Sequence, residues 1–163
     1  MRKKEKILLL LLVLTIAVIG IGCEKKQIIS GEQMIYAQIE FSEGFLIIMD
    51  EMADTYSEYI SYNISEQKFK EEVEGYLKRI VYEEERYQQF NKKYALDPEN
   101  TDMKVKTAIS CIEEARLTVK NILEKSVYKG RALPREELVE LYIEGSDNIQ
   151  EKLDEFAELV ESM

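Results

Sequence analysis

The sequence predicts an all-α protein: an up-down-up-down antiparallel four-helix bundle built from long, coiled-coil-like helices. Apolar residues recur at alternating spacings of three and four along the chain after residue 30, which is typical of amphipathic helices. The four periodic segments are each about 30 residues long, and the connections between them are short. Helices of equal length with short connections favour antiparallel neighbours. A hydrophobic content of 45% and 10 Tyr with 5 Phe argue against intrinsic disorder.

Helix-start signals divide the first half of the chain. Ser30 and Gln33 match a capping box, and Ser65 follows a break in the periodicity and can cap a second helix. A buried strand is an alternative for Phe45–Met49, but helical periodicity continues on both sides of it. The helices are therefore expected near residues 31–62, 66–95, 98–128 and 134–162.

The second half of the chain carries similar helix-boundary signals. Asp97, Pro98 and Glu99 suit the cap and first turn of the third helix. Gly130 is expected to end that helix, and Pro134 to open the fourth. The fourth helix has the most regular stripe, a seven-residue repeat that predicts left-handed packing. Its members are Val139, Tyr142, Ser146, Ile149, Leu153, Phe156, Val160 and Met163.

The N-terminus has the layout of a secretory signal. Ile7–Gly22 carries no charge and follows four basic residues, Arg2, Lys3, Lys4 and Lys6. The segment ends in a small residue followed by Cys23, which resembles the lipobox of bacterial lipoproteins. In that family a signal peptidase cleaves before the cysteine, which then receives lipid, including palmitate. Gly20 departs from the pattern, because Leu is usual three residues before the cysteine.

The resemblance implies a signal peptide over 1–22, lipidated Cys23 on a short tether over 23–30, and a bundle over 31–163. The protein is then expected outside the cytoplasm, anchored to the bacterial cell membrane by the lipid on Cys23. The alternative is an uncleaved transmembrane anchor, because the uncharged run lies at the lower limit of about 17 residues for a spanning helix.

The composition excludes several classes of catalytic site and metal site. The chain holds no His, which excludes Ser-His-Asp and Cys-His catalysis and imidazole-dependent metal sites. Residues 1–23 hold four basic residues and one acidic residue, so the remainder has 31 acidic and 18 basic residues, a net charge of −13. Nucleic acid and an anionic lipid surface should both repel such a domain. We expect no cofactor, no metal and no catalytic residues.

One region departs from the acidic background. Residues 125–135 contain several cations and no acidic residue, and the turn near 63–65 is expected at the same end of the bundle. The predicted partner-binding tip comprises Tyr59, Tyr62, Lys68, Lys125, Tyr128, Lys129, Arg131 and Arg135. Tyr and Arg are enriched at interface hot spots. The alternative is that the cations only compensate the negative end of a helix dipole and keep a loop in contact with solvent.

Two further residues have a functional and a structural interpretation. Glu83 falls on an apolar stripe, where it would serve as a catalytic carboxylate or pair with a cation from a neighbouring helix. Cys111 would be the one free thiol once Cys23 is lipidated, and it is either half-buried and inert or available for an intermolecular disulfide.

The expected function is therefore binding, without catalysis. A membrane-tethered bundle would present its tip to an envelope protein or to an anionic envelope polymer. One alternative is a structural spacer or self-assembling coiled coil, which would form homo-oligomers through its heptads. A remote alternative is a small hydrolase that uses paired carboxylates.

Overall fold

A computed structural model describes residues 26–163, so the predicted signal peptide and Cys23 lie outside the described residues. The all-α prediction is confirmed, since four helices account for most of these residues. The helices are α1 Gly31–Ile60, α2 Glu66–Lys93, α3 Met103–Ser126 and α4 Arg135–Glu161. The short strands are β1 Gln27–Ile29, β2 Tyr94–Leu96, β3 Val127–Tyr128 and β4 Arg131–Ala132.

The first two helices begin at the caps that the sequence indicates. Ser30 and Gln33 form a reciprocal capping box in which each side chain accepts a hydrogen bond from the other's backbone N–H. Ser65 accepts a hydrogen bond from the backbone N–H of Lys68. Phe45–Met49 lies inside α1, so the strand alternative is wrong for that segment.

The third helix begins five residues later than expected, at Met103 in place of residue 98. The Asp97 carboxylate accepts hydrogen bonds from the backbone N–H groups of Glu99 and Asn100, which closes a separate turn. Asp102 then caps α3 by accepting from the N–H of Lys104. The sequence offers two acidic caps in succession, and the second one starts the helix.

Gly130 does not end a helix, contrary to expectation. Helix α3 stops at Ser126, and β3 and β4 form a two-stranded antiparallel hairpin. Lys129 and Gly130 connect these strands with φ angles of 49° and 74°. Positive φ at both central residues defines a type I′ turn, which suits the twist of a tight hairpin and favours glycine.

Residues 27–29, expected to belong to a short tether, form strand β1. This strand pairs in parallel with β2, with Gln27 opposite Tyr94 and Ile29 opposite Leu96. The chain that leads into α1 is therefore held against the end of α2 by backbone hydrogen bonds. Strands of three residues are too short to produce a recognisable alternation in the sequence.

The core lies between the four helices, and the most extensive helix contact joins α3 to α4. Aromatic rings fill the end of the core near the hairpin, where Tyr59 stacks on Phe69 with ring centres 4.3 Å apart. Tyr56 packs edge-on against the same Phe69. Among the helices of residues 26–163, none combines the length and apolar character that membrane crossing requires.

Candidate functional site

The residues predicted to form a tip lie together at one end of the helices. We define the hairpin tip as residues 59–70 and 125–135. The Lys70 Nζ donates a hydrogen bond of 3.1 Å to the backbone oxygen of Gly130. The Glu66 carboxylate accepts one of 3.1 Å from the N–H of Ala132. These bonds hold the β3–β4 hairpin against the start of α2.

Arg135 organises the centre of the hairpin tip. Its guanidinium carbon lies 4.2 Å from the ring centre of Tyr59 and 3.9 Å from that of Tyr62. Its Nε also donates a 2.9 Å hydrogen bond to the backbone oxygen of Tyr59. Tyr59 is buried, whereas Tyr62 is 76% exposed. Arg135 therefore has a structural role, because it fixes the end of α1 to the start of α4.

The hairpin itself carries the exposed cations. The Lys129 Nζ lies 5.0 Å from the ring centre of Tyr128, whose side chain is 64% exposed. Tyr128, Lys129 and Arg131 line a shallow groove of about 480 Å³ whose other lining residues are 132–134. Among the residues that the structure describes, no acidic side chain lines this groove. It presents an aromatic ring beside two cations.

Lys68 and Lys125 are exposed and flank the hairpin on α2 and α3. Acidic side chains limit the basic surface on α2 and α4, because Glu66 lies beside β4 and Glu136 follows Arg135. The basic surface is thus the hairpin and its immediate flanks. It is smaller than the whole end of the bundle.

Sequence reasoning missed a buried polar cluster that joins three helices. Gln38 of α1 is fully buried, and Arg116 of α3 is only 7% exposed. The Arg116 Nη2 donates a 2.9 Å hydrogen bond to the Gln38 Oε1, and the Gln38 Nε2 donates one of 3.0 Å to the Tyr87 hydroxyl. That hydroxyl donates in turn to the carboxylate of Glu113.

Arg116 also stacks on an aromatic ring, since its guanidinium carbon lies 4.0 Å from the ring centre of Tyr87. Its Nη1 is buried and has no hydrogen-bond partner among the described residues. The sequence contains a signal for the burial of Arg116, because this residue lies one position after Ala115 and four after Ile112, which belong to an apolar stripe. A cation at that spacing must lie at the edge of the core.

Glu83 pairs with a cation, but the partner is not on a neighbouring helix as expected. Arg86, one turn later on α2, donates to the Glu83 carboxylate at 2.7 Å. The same Arg86 lies 3.9 Å from Glu40 of α1. The packing of α1 against α2 places the Glu83 side chain against the backbone of Gly44. A Cβ atom added at position 44 would lie 2.9 Å from the carboxyl carbon of Glu83.

Cys111 is more deeply buried than expected, at 3% exposure. Burial, with a smaller contribution from the hydrogen bond and charge of the neighbouring Glu155 carboxylate, raises the pKa of its thiol to about 11. Such a thiol is almost entirely protonated at neutral pH, which makes it a poor nucleophile.

No protein-family model matches the chain, and no curated protein or solved structure is significantly similar to it. Within residues 26–163, no group of three or more acidic or cysteine side chains is arranged to hold a metal ion. Function is therefore inferred from the geometry of the hairpin tip and of the buried cluster.

Proposed function

We propose that the protein is a membrane-anchored lipoprotein of the cell envelope that binds an anionic partner through the hairpin tip. The observation that carries this proposal is the groove formed by Tyr128, Lys129 and Arg131, which holds an exposed ring, two cations and, within residues 26–163, no acidic side chain. On a domain with a large negative charge, such a groove attracts acidic surfaces that the remaining surface repels.

The proposal includes an up-down-up-down antiparallel bundle. Side-chain contacts between sequential helices support it, because the residue number rises along one helix as it falls along the next. Between α1 and α2 the pairs are Thr55 with Tyr76 and Gln38 with Tyr87; between α3 and α4 they are Thr118 with Asn148 and Lys104 with Ser162.

In this arrangement the hairpin tip and strand β1 lie at opposite ends of helices about 40 Å long. Strand β1 begins four residues after Cys23 and is held at the β2 end. A lipid on Cys23 would therefore place the β1–β2 end near the membrane and the hairpin tip away from it. Incorporation of labelled palmitate, lost on Cys23→Ser, would test the anchor.

The proposed partner is an acidic region of an envelope protein or an anionic envelope polymer. The protein acts on it by binding, without catalysis of its own. Two alternatives make different predictions: a self-assembling coiled coil would form homo-oligomers, and a carboxylate-dependent hydrolase would lose turnover on Glu83→Gln. Sedimentation of a monomer over a wide concentration range would contradict the first alternative.

The experiment compares capture of envelope components by three versions of the full-length protein. The test variant carries Lys125→Glu, Lys129→Glu and Arg131→Glu, and it keeps Arg135 because that residue has a structural role. A matched control places the same charge change away from the tip, at Lys78, Lys93 and Lys104. Wild type and control should capture the same anionic partner, and the tip variant should lose it. Equal capture by all three proteins would exclude the hairpin tip as the binding site.

A further inference from the structure

A second pocket lies between α2 and α3, well away from the hairpin tip. It has a volume of about 490 Å³, and most of its lining is apolar. Phe45, Tyr87 and Leu117 form apolar walls, and Leu117 is 55% exposed at the opening. A pocket of this size is within the range that small organic ligands occupy.

Three cations line the pocket: Lys26, Lys92 and Arg116. The two lining carboxylates are already engaged. Glu84 forms an ion pair of 3.0 Å with Lys120, and Glu113 accepts from the Tyr87 hydroxyl. By contrast, no ion pair involves Lys26 or Lys92 within the described residues. The lining therefore favours an anion.

Arg116 supplies a second and independent observation. Its side chain is 8% exposed, and its Nη1 has no hydrogen-bond partner among residues 26–163. The nearest carboxylate, that of Glu113, stands 4.0 Å from Nη2. A buried charged donor without an acceptor is costly, and an anionic ligand would supply the acceptor.

We propose that the α2–α3 pocket binds a small organic anion, a carboxylate attached to an apolar or aromatic body. The apolar body lies against Phe45 and Leu117, and the carboxylate lies between Lys92 and the guanidinium of Arg116. Nη1 itself is buried, and the half-exposed Glu113 carboxylate stands 4.0 Å from the neighbouring Nη2. The ligand carboxylate therefore reaches the guanidinium by displacing the Glu113 side chain towards solvent. Ligand and Glu113 thus compete for Arg116. This site is independent of the hairpin tip.

The test uses ¹⁹F NMR titration of the full chain in phosphatidylcholine nanodiscs, with empty nanodiscs as the blank. The probes are 4-(trifluoromethyl)benzoate, its neutral amide and 4-(trifluoromethyl)benzylammonium, which share one apolar body. The benzoate should bind, and the other two probes should bind at least about tenfold more weakly, because only the benzoate supplies an acceptor with charge.

Variants at exposed lining positions keep the test independent of folding. Leu117→Gln and Lys92→Gln should each weaken benzoate binding about threefold or more, whereas the adjacent Lys93→Gln should leave it unchanged. Glu113→Gln should tighten binding, because it removes the competing charge and retains an acceptor for Tyr87. The proposal is overturned if the benzoate does not bind at millimolar concentration, if the amide binds equally well, or if Leu117→Gln and Lys93→Gln have the same effect.

Discussion

Ile122 of α3 lies directly against the backbone of Gly145 of α4. A Cβ atom added at position 145 would stand 2.4 Å from the Ile122 Cδ1 and 2.6 Å from its Cγ1. Both distances are far shorter than van der Waals contact, and Ile122 is only 1% exposed. The close approach of α3 and α4 therefore favours glycine at 145, because any other residue there would have to displace Ile122.

Gly145→Ala should destabilise the protein, by about 1–2 kcal/mol. Overpacking against Ile122 costs about 1–3 kcal/mol, and the higher helix propensity of alanine offsets up to about 1 kcal/mol of it. Gly75→Ala is the matched control, since no atom of the described part of the chain lies within 4 Å of a Cβ there. That control should stabilise by about 0.5–1 kcal/mol. Denaturant unfolding measures both, and equal effects would contradict the packing described.

Arg135→Ala should destabilise the protein by about 1–2 kcal/mol. The change removes stacking on Tyr59 and Tyr62 and a hydrogen bond to the Tyr59 backbone. Arg131→Ala is the comparison, because that side chain is exposed on the hairpin, and its effect should stay within about 0.5 kcal/mol. Thermal unfolding of the two variants distinguishes a structural arginine from a surface one.

Gln38→Leu should destabilise the protein by about 1–3 kcal/mol, because it leaves the buried Arg116 guanidinium without the acceptor of its hydrogen bond. Adding Arg116→Met should recover much of that loss, since two apolar side chains then replace the polar pair. A double-mutant cycle on unfolding free energies gives the coupling. Additive effects of the two changes would show that the residues do not interact.

The thiol of Cys111 should add a pH-dependent term to stability. Its folded pKa is raised by burial to about 11, above the value of about 8.5 for a free thiol. Because the folded pKa is the higher one, this stabilisation is complete below about pH 8.5 and is lost as the pH rises towards about 11. The fall over that range should be smaller in Cys111→Ala than in wild type.

Thiol labelling provides a second readout in a Cys23→Ser background, where Cys111 is the only cysteine. Ellman's reagent at about pH 7.5 should react slowly with the folded protein and rapidly after unfolding. Rapid reaction in the folded state would show that the thiol is accessible, contrary to its 3% exposure.

The helices were predictable because their apolar stripes and caps are local signals. Ser30 and Ser65 begin helices as their sequence context indicates. The start of α3 was not predictable, because Asp97 and Asp102 are both adequate caps and tertiary packing decides between them. The hairpin was missed because Gly130 serves equally well after a helix or in a type I′ turn.

The tip residues were identifiable from local composition, but their separate roles were not. Arg135 differs from Arg131 only in what it contacts, and those contacts come from a turn about 70 residues earlier in the chain. The Gln38–Arg116 pair was missed for the same reason, since its partners lie on different helices.

The most direct test of the proposed function places a photo-cross-linker at the hairpin tip and, separately, on a helix face. Tyr128 and Tyr82 are 64% and 60% exposed, so each accepts p-benzoylphenylalanine in the full-length protein with similar access to solvent. Irradiation of cells should cross-link a partner through position 128 and not through position 82. Cross-linking through position 82 alone, or only between copies of the chain, would contradict binding by the tip.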